Sequence, residues 1–242
     1  MSISASVRTA EPSRSASLRI GDLMVDRAAW YGPGAEGEPP ANVHGFVVSP
    51  FPRLVYHVVR ATLGEPEAFA AASGSGRPRG PHTGILLGTV FGDSATADAV
   101  CQRLAEGTVH NPMLFFQSVP TSVLGALCRD YTITGPMVCV SEQRDTAAWL
   151  LGAVDELLDE EEIDQVLAIG IELVSNPRVR AAIEGSDPEI HSAMPEADTA
   201  VAMLVRRAPD AGSPRQAASV KSPADSPRGW LQGLIEICEG RP

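Results

Sequence analysis

Residues 83–91 read TGILLGTVF, and two similar apolar runs follow at residues 137–140, MVCV, and residues 165–171, QVLAIGI. Each run is too short for a typical helix, and this length is typical of a strand buried on both faces. Such strands occur mainly in parallel sheets that carry helices on both sides. The three runs therefore predict the centre of a sheet of this kind.

Helical patterns separate the three runs. Asp93 or Ser94 is expected to cap a helix that ends at Gly107. Two more helices are expected, at residues 119–130 and 146–158. Strands that alternate with helices predict an α/β fold. The expected buried residues of the first helix are Val100 and Leu104.

Outside this block, the sequence predicts two more strands and one more helix. The strands are expected at residues 18–25 and 200–205, and the helix at residues 53–63. Together these elements predict an α/β domain with a mixed five-stranded sheet covered by helices.

The composition of the two ends differs from that of the centre. Residues 1–17 are rich in Ser, Ala and Arg and are expected to be disordered, which leaves residues 18–206 as the folded domain. Residues 207–242 are expected to form a linker rich in Pro and Ser, followed by a short helix with an apolar stripe. The stripe consists of Trp230, Leu231, Leu234, Ile235 and Cys238.

Charge and composition argue against several classes of function. Acidic residues outnumber basic ones by 30 to 19, and the resulting net charge of −11 disfavours binding to nucleic acid or to anionic lipid. No apolar run approaches the roughly 20 residues of a membrane span, and no leader pattern opens the chain, so a cytoplasmic protein is expected. The cysteines lie too far apart for a typical zinc site, and neither a metal nor a cofactor is expected. They are Cys101, Cys128, Cys139 and Cys238.

The central block is similar to the N-terminal half of β-ketoacyl synthases, the condensing enzymes of fatty-acid and polyketide assembly. The similarity runs from about Thr83 to Val174 and rests on TGILLGTVFGDSATADAVCQRLAEG, NPMLFFQSVPTSVLGALCRDYTITGPMVCVS and AAWLLGAVDELLDEEEIDQVLAIGIEL. Residues 196–205, EADTAVAMLV, look like a further strand of the same half, and Trp30 suits the aryl-polyene branch of the family. The resemblance implies one half of a thiolase-like fold.

Two departures from the family pattern imply that the chain has no condensing activity. Counting on from Gly135-Pro136, the position of the nucleophilic cysteine holds Arg144, whose guanidinium cannot form a thioester and stays protonated. The family also takes two histidines from a second half, and this chain is expected to comprise one half only. Its own histidines do not fall in the family's motifs. They are His44, His57, His82, His110 and His191.

The family contains inactive subunits, called chain length factors, that pair with an active ketosynthase and shape its acyl tunnel in type II polyketide and aryl-polyene systems. The chain resembles one of these, which implies a ketosynthase partner, an acyl carrier protein as an indirect partner, and neither nucleic acid nor membrane. An ion pair of Arg144 with Glu142 or Asp145 could order the interface. The residues expected at the tunnel or interface are Met113, Leu114, Phe115, Phe116, Met137, Val138, Cys139, Val140 and Ser141.

Simpler interpretations remain open at this stage. The run Met113–Phe116 could be ordinary core, Arg144 could be a solvated residue without a role, and Cys139 is expected to be a small apolar filler on a buried strand. A second hypothesis is a stand-alone enzyme that hydrolyses or isomerises carrier-bound acyl thioesters with Ser141, Glu142 and His110. A third is a homodimeric scaffold or carrier-docking module.

Overall fold

The structure, a computed structural model, describes residues 6–9, 18–35, 39–71, 79–108, 112–142, 145–210 and 226–240, the first of these segments by its backbone only. Its centre is one mixed sheet. Five of its strands form in the regions where the sequence predicts strands. Four of these lie within about three residues of the predicted bounds, and the fifth is the longer strand of a hairpin. The strands are β1 (Ser6–Thr9), β2 (Leu18–Ile20), β3 (Leu23–Gly32), β4 (Thr83–Gly88), β5 (Met137–Val140), β6 (Gln165–Glu172) and β7 (Thr199–Arg207).

The strand order is β1-β3-β7-β6-β4-β5, and β2 pairs with the first residues of β3. β4 lies parallel to both β5 and β6, whereas β7 is antiparallel to both β6 and β3. β3 therefore runs in the same direction as β4, β5 and β6. The carboxyl ends of these four strands all lie at one edge of the sheet, which is called the carboxyl edge below.

The sheet has seven strands within the described residues, not the expected five. Residues 18–25 contain a hairpin instead of one strand, because the chain turns at Gly21 and Asp22, where Gly21 adopts the left-handed φ of 57° that suits glycine. β1 comes from residues 6–9, which the sequence analysis had placed in a disordered terminus. The prediction of an α/β fold with a mixed sheet is confirmed.

Nine helices are present in the described parts of the chain. The side chain of Asp93 accepts a hydrogen bond from the backbone N–H of Thr96 at 3.1 Å, so the predicted cap is confirmed. Val100 is buried as expected, but the expectation for Leu104 was wrong, because it lies on the exposed side of the same helix. The helices are α1 (Phe51–Leu63), α2 (Pro66–Ala71), α3 (Ser94–Ala105), α4 (Pro112–Gln117), α5 (Thr121–Asp130), α6 (Thr146–Leu157), α7 (Pro177–Glu184), α8 (Pro188–Ala193) and α9 (Gln232–Cys238).

Helices cover both faces of the sheet. Ile85 and Leu87 of β4 point to the face that α1 and α5 cover, whereas Leu86 points to the face of α6, α9 and the 3-10 turn Gly229–Leu231. This alternation is the ordinary pleat of a strand, and it buries a separate apolar core on each side. The result is a three-layer α/β/α arrangement, as the apolar strands predict.

Candidate partner interface

β5 forms one edge of the sheet. It pairs with β4 on one side, and among the described residues no strand pairs with its other side. An edge strand presents backbone N–H and C=O groups that another chain can pair with. The fold therefore leaves the strand before the expected nucleophile position open on its outer side.

Side chains of β5 alternate between the core and the surface. Val138 and Val140 are half-buried against the α6 side of the sheet, whereas Met137 and Cys139 are exposed. The expectation that Cys139 lies on a buried strand was wrong, because the strand lies at the edge of the sheet and not at its centre. Its assignment to an interface stays a prediction, as does that of the other residues of β5.

The apolar run Met113–Phe116 forms α4, which contacts α3 and α5. More than half of the surface of Met113, Phe115 and Phe116 is exposed, at 57%, 65% and 56%, whereas Leu114 is 4% exposed. Leu114 therefore faces into the chain, and the other three side chains form an apolar surface. Ordinary core packing accounts for Leu114 alone.

The exposed apolar side chains concentrate in one part of the sequence. α5 contacts both α4 and β5 and thereby links them, whereas α6 contacts β5 from the other face of the sheet. We call the exposed apolar side chains of α4 and β5, which are Met113, Phe115, Phe116, Met137 and Cys139, the β5–α4 surface. Nine large apolar side chains are exposed in the described residues, and seven of them lie between residues 104 and 149. These seven are Leu104, Met113, Phe115, Phe116, Val119, Met137 and Trp149.

The carboxyl edge contains a buried acid that the sequence analysis did not identify. Glu172, at the end of β6, accepts hydrogen bonds from the Thr89 hydroxyl at 2.9 Å and from the backbone N–H groups of Val90 and Phe91. Its burial raises the pKa of the carboxyl to about 7, although these three donors favour the charged form. Glu172 thereby connects β6 to the loop that follows β4.

This loop also contacts the end of β5. The backbone N–H of Thr89 donates to the carbonyl of Val140 at 3.1 Å, and the Ser141 hydroxyl donates to the carbonyl of Val90 at 3.3 Å. Ser141 is exposed, and the hydrogen bond of its hydroxyl goes to a backbone carbonyl and not to a basic side chain. This arrangement positions the end of β5 but does not activate a nucleophile.

The position expected for the nucleophile lies between β5 and α6. Arg144 and His110 fall outside the described residues, so the predicted ion pair with Glu142 or Asp145 and the predicted role of His110 stay predictions. Asp145 begins α6 in the left-handed conformation, with φ of 54°, which is sparsely populated for residues other than glycine. Strained backbone of this kind is frequent where a fold holds a functional residue.

The described residues lack two further features. No group of three or more His, Cys, Asp and Glu side chains that could hold a metal ion occurs among them. Within the same residues, no helix is long and apolar enough to cross a membrane. The four cysteines, all of them described, form no disulfide.

By sequence, no family model and no curated protein matches the chain. Solved structures match it by fold. The ishigamide ketosynthase/chain length factor matches with a TM-score of 0.56 at 14% identity, over 74% of this chain and 49% of the other. The ApeO ketosynthase in complex with its chain length factor ApeC, from Xenorhabdus doucetiae, matches with a TM-score of 0.58 at 16% identity, over 93% and 91%.

A third match is AntDE:AntF, a type II polyketide synthase acyl carrier protein in complex with its ketosynthase, with a TM-score of 0.56 at 14% identity, over 78% of this chain and 63% of the other. The chain thus spans about half the length of the ishigamide chain, and most of the length of the matched chain from the ApeO–ApeC complex. Its fold is the thiolase-like fold of ketosynthases and chain length factors.

Proposed function

We propose that the chain is a non-catalytic subunit, similar to a chain length factor, that pairs with an active β-ketoacyl synthase in type II polyketide or polyene biosynthesis. The observation that carries this proposal is the open edge of β5 beside the exposed side chains of α4, on a fold shared with ketosynthases and chain length factors. The β5–α4 surface would be the interface with the ketosynthase.

Physical considerations favour a protein partner at this surface. A strand of the partner that adds to β5 would satisfy the outer backbone groups of that strand. Burial of apolar surface contributes roughly 25 cal/mol per Å², and exposed apolar side chains that cluster on one side of a chain are typical of interaction sites. Specific, stable interfaces typically bury about 1,600 Å² in total, about half of it on each partner.

α4 is suited to shape a tunnel across such an interface. Leu114 anchors this short helix in the chain, so that Met113, Phe115 and Phe116 project away from it. Side chains held in this way would line or close the end of an acyl tunnel in the partner. Their volume would then limit the length of the acyl chain that the ketosynthase builds.

The same region argues against condensation by this chain itself. Arg144 occupies the position that the nucleophile has in the family, and its guanidinium has no thiolate chemistry. Catalysis would therefore depend on the partner. The net charge of −11 disfavours a direct contact with an acidic acyl carrier protein, so the carrier would dock mainly on the partner.

Product analysis tests the role of α4. In a reconstituted system of this chain, its ketosynthase and an acyl carrier protein, we expect Phe116→Ala to lengthen the main product, because the smaller side chain leaves more room at the end of the tunnel. Phe116→Trp should shorten it, because it fills that room. Mass spectrometry of the released products measures both effects.

The two substitutions act as controls for each other, since a general loss of structure would lower the yield of both without opposite shifts in length. An unchanged product spectrum for both variants, at normal yield, would contradict a role of Phe116 in setting the length.

A further inference from the structure

A cleft of about 500 Å³ lies at the carboxyl edge, near β3 and β7 and away from β5. It is surrounded by the end of β3 and the residues after it, by the residues before β7 and by the start of α1. In the sheet, three strands separate β3 from β5. Ligands of open α/β sheets commonly bind outside the carboxyl ends of the strands, and ligand sites typically measure a few hundred to 1,000 Å³. The cleft is therefore separate from the β5–α4 surface and has the position and size of a ligand site.

The walls of the cleft are mainly apolar. Tyr31 and Pro33 form one side at the end of β3, and Pro50 and Leu54 form another at the start of α1. Burial is the main cause that raises the pKa of the Tyr31 phenol, and the Asp198 carboxylate adds to it. Tyr31 therefore stays a neutral, largely apolar wall at physiological pH.

Arg53 is the cation inside this apolar cleft. Its side chain is half-buried and lines the cleft, and its Nε atom is buried without a hydrogen-bond partner. It forms no hydrogen bond or ion pair with another described residue, unlike Arg60 on the same helix, which pairs with Glu65. A buried N–H group that has no acceptor among the described residues is costly, and a bound anion that accepts from this Nε–H would remove that cost.

The other charged groups of the cleft define which anion fits. Asp198 accepts hydrogen bonds from the backbone N–H groups of Val174 and Ser175 and from the Ser175 hydroxyl, at 2.7 to 2.9 Å, so local donors offset its charge. Arg180 and Glu196 are both exposed at the mouth, and Arg180 donates its Nε proton to the Val174 carbonyl at 2.9 Å. Two carboxylates near the site disfavour a dianion such as phosphate.

We propose that this cleft binds a small carboxylate with an apolar body, whose carboxylate pairs with Arg53 and whose apolar part packs on Tyr31, Pro33 and Leu54. A guanidinium presents two parallel N–H donors, which match the two oxygens of a carboxylate. The prolines and Leu54 contribute no hydrogen bonds from their side chains, and they suit an aliphatic or aromatic group. This site does not depend on the proposed pairing with a ketosynthase.

Equilibrium dialysis of radiolabelled hexanoate against the full chain tests the proposal. We expect unlabelled hexanoate to compete with the labelled hexanoate. Acetate, which lacks the apolar body, hexanol, which lacks the charge, and inorganic phosphate should each compete at least ten-fold more weakly. Equal competition by hexanol or by phosphate would overturn the proposal. So would the absence of saturable hexanoate binding.

Variants locate the site. Arg53→Gln should weaken hexanoate binding at least ten-fold, and Glu196→Gln should strengthen it a few-fold, because it removes a negative charge at the mouth. The matched control Arg60→Gln, on the solvent-exposed side of the same helix, should bind like the wild type. Circular dichroism shows whether Arg53→Gln folds.

If Arg53→Gln does not fold, Arg180→Gln at the exposed mouth of the cleft replaces it, and a few-fold weaker binding is expected. Unchanged affinity in the folded variants of Arg53 or Arg180 would overturn the proposal. Because dialysis measures the chain without a ketosynthase, its failure would leave the proposed subunit role untouched.

Discussion

Glu172 is the residue with the clearest chemical consequence in this structure. It is the one charged residue between Val166 and Val174, and the fold buries it completely at the carboxyl edge. Its hydrogen bonds hold the loop after β4, and this loop contacts the end of β5 through the hydrogen bond from Ser141 to Val90. Stability of the region that precedes α6 should therefore depend on the protonation of this single carboxyl.

The free energy of unfolding should fall as the pH rises from about 4.5 to about 7. The pKa of Glu172 is raised from 4.5 to about 7 in the folded state, so the folded chain binds its proton more tightly than the unfolded chain does. The stabilisation is complete below pH 4.5 and is lost as the pH passes the folded pKa, with a total of about 3 kcal/mol. Burial also raises the pKa of Asp93, which adds to the effect in the same direction.

Urea unfolding at several pH values between 5 and 8 measures this dependence. Glu172→Gln should remove most of the change in the free energy of unfolding with pH, because its amide does not titrate. Glu161→Gln, on the exposed acidic turn, should retain this change. Equal slopes in the wild type and Glu172→Gln would show that the carboxyl titrates near its ordinary value.

At the residue level, the sequence was informative where the signal is local. The cap at Asp93 could be predicted, because one side chain and the next turn of helix decide it. Burial of Leu104 and Cys139 was predicted wrongly, since exposure depends on which elements lie beside α3 and β5 in space. Glu172 could have been identified from the sequence, because it is an acid in an otherwise apolar strand. An acid in such a strand is buried only together with hydrogen-bond partners.

The C-terminal segment is the element that completes one layer of the fold. Trp230 and Leu231 are buried against β4 and β6, where glycines leave room for them: a Cβ atom on Gly170 would lie 2.7 Å from a methyl group of Leu231 and 3.0 Å from the Trp230 ring. Arg228 stacks over the ring of the buried Trp30 at 4.2 Å. The segment therefore packs as part of the domain and covers its sheet.

Trp230→Ala should lower the free energy of unfolding by about 3 to 5 kcal/mol, because it leaves a large cavity between the sheet and α9. The chain offers a matched control in Trp149, which is 59% exposed on α6 compared with 3% for Trp230. Trp149→Ala should change the stability by less than about 1 kcal/mol. Similar losses for the two variants in urea unfolding would show that the C-terminal segment is not packed as described.

Strands and long helices could be predicted from the sequence, since their apolar periods are strong. The short helices α7 and α8 were missed, although each begins with a capping residue and a proline, Asn176-Pro177 and Asp187-Pro188. Eight and six residues are too few for a clear apolar period. The hairpin of β2 and β3 was missed because its turn has two residues only and interrupts a continuous apolar pattern.

At the scale of the whole molecule, the chain covers both faces of its sheet with its own helices, yet within the described residues no strand pairs with the outer side of β5. Most of its exposed large apolar side chains lie between residues 104 and 149, in the elements around β5. The open outer side of β5 could not be predicted from composition, because it arises from the order of strands in the sheet. It is the reason that the proposed partner is placed at β5 and α4.

The central claim is that the β5–α4 surface pairs with a ketosynthase, and the mass of the co-expressed complex tests it most directly. The chain should be co-expressed with an active ketosynthase of the same organism, and the purified material analysed by size-exclusion chromatography with light scattering. We expect a complex that contains both chains in equal numbers. Met137→Lys combined with Cys139→Lys should abolish it, because charges on the outer strand oppose pairing.

Ala70→Lys combined with Ala71→Lys is the matched control, since both residues are exposed on α2, away from β5, and the complex should persist. Circular dichroism should show that both double variants are folded, because all four substituted residues are exposed. A chain that elutes alone in the presence of the ketosynthase, or a complex that forms equally well with the lysines on β5, would contradict the account.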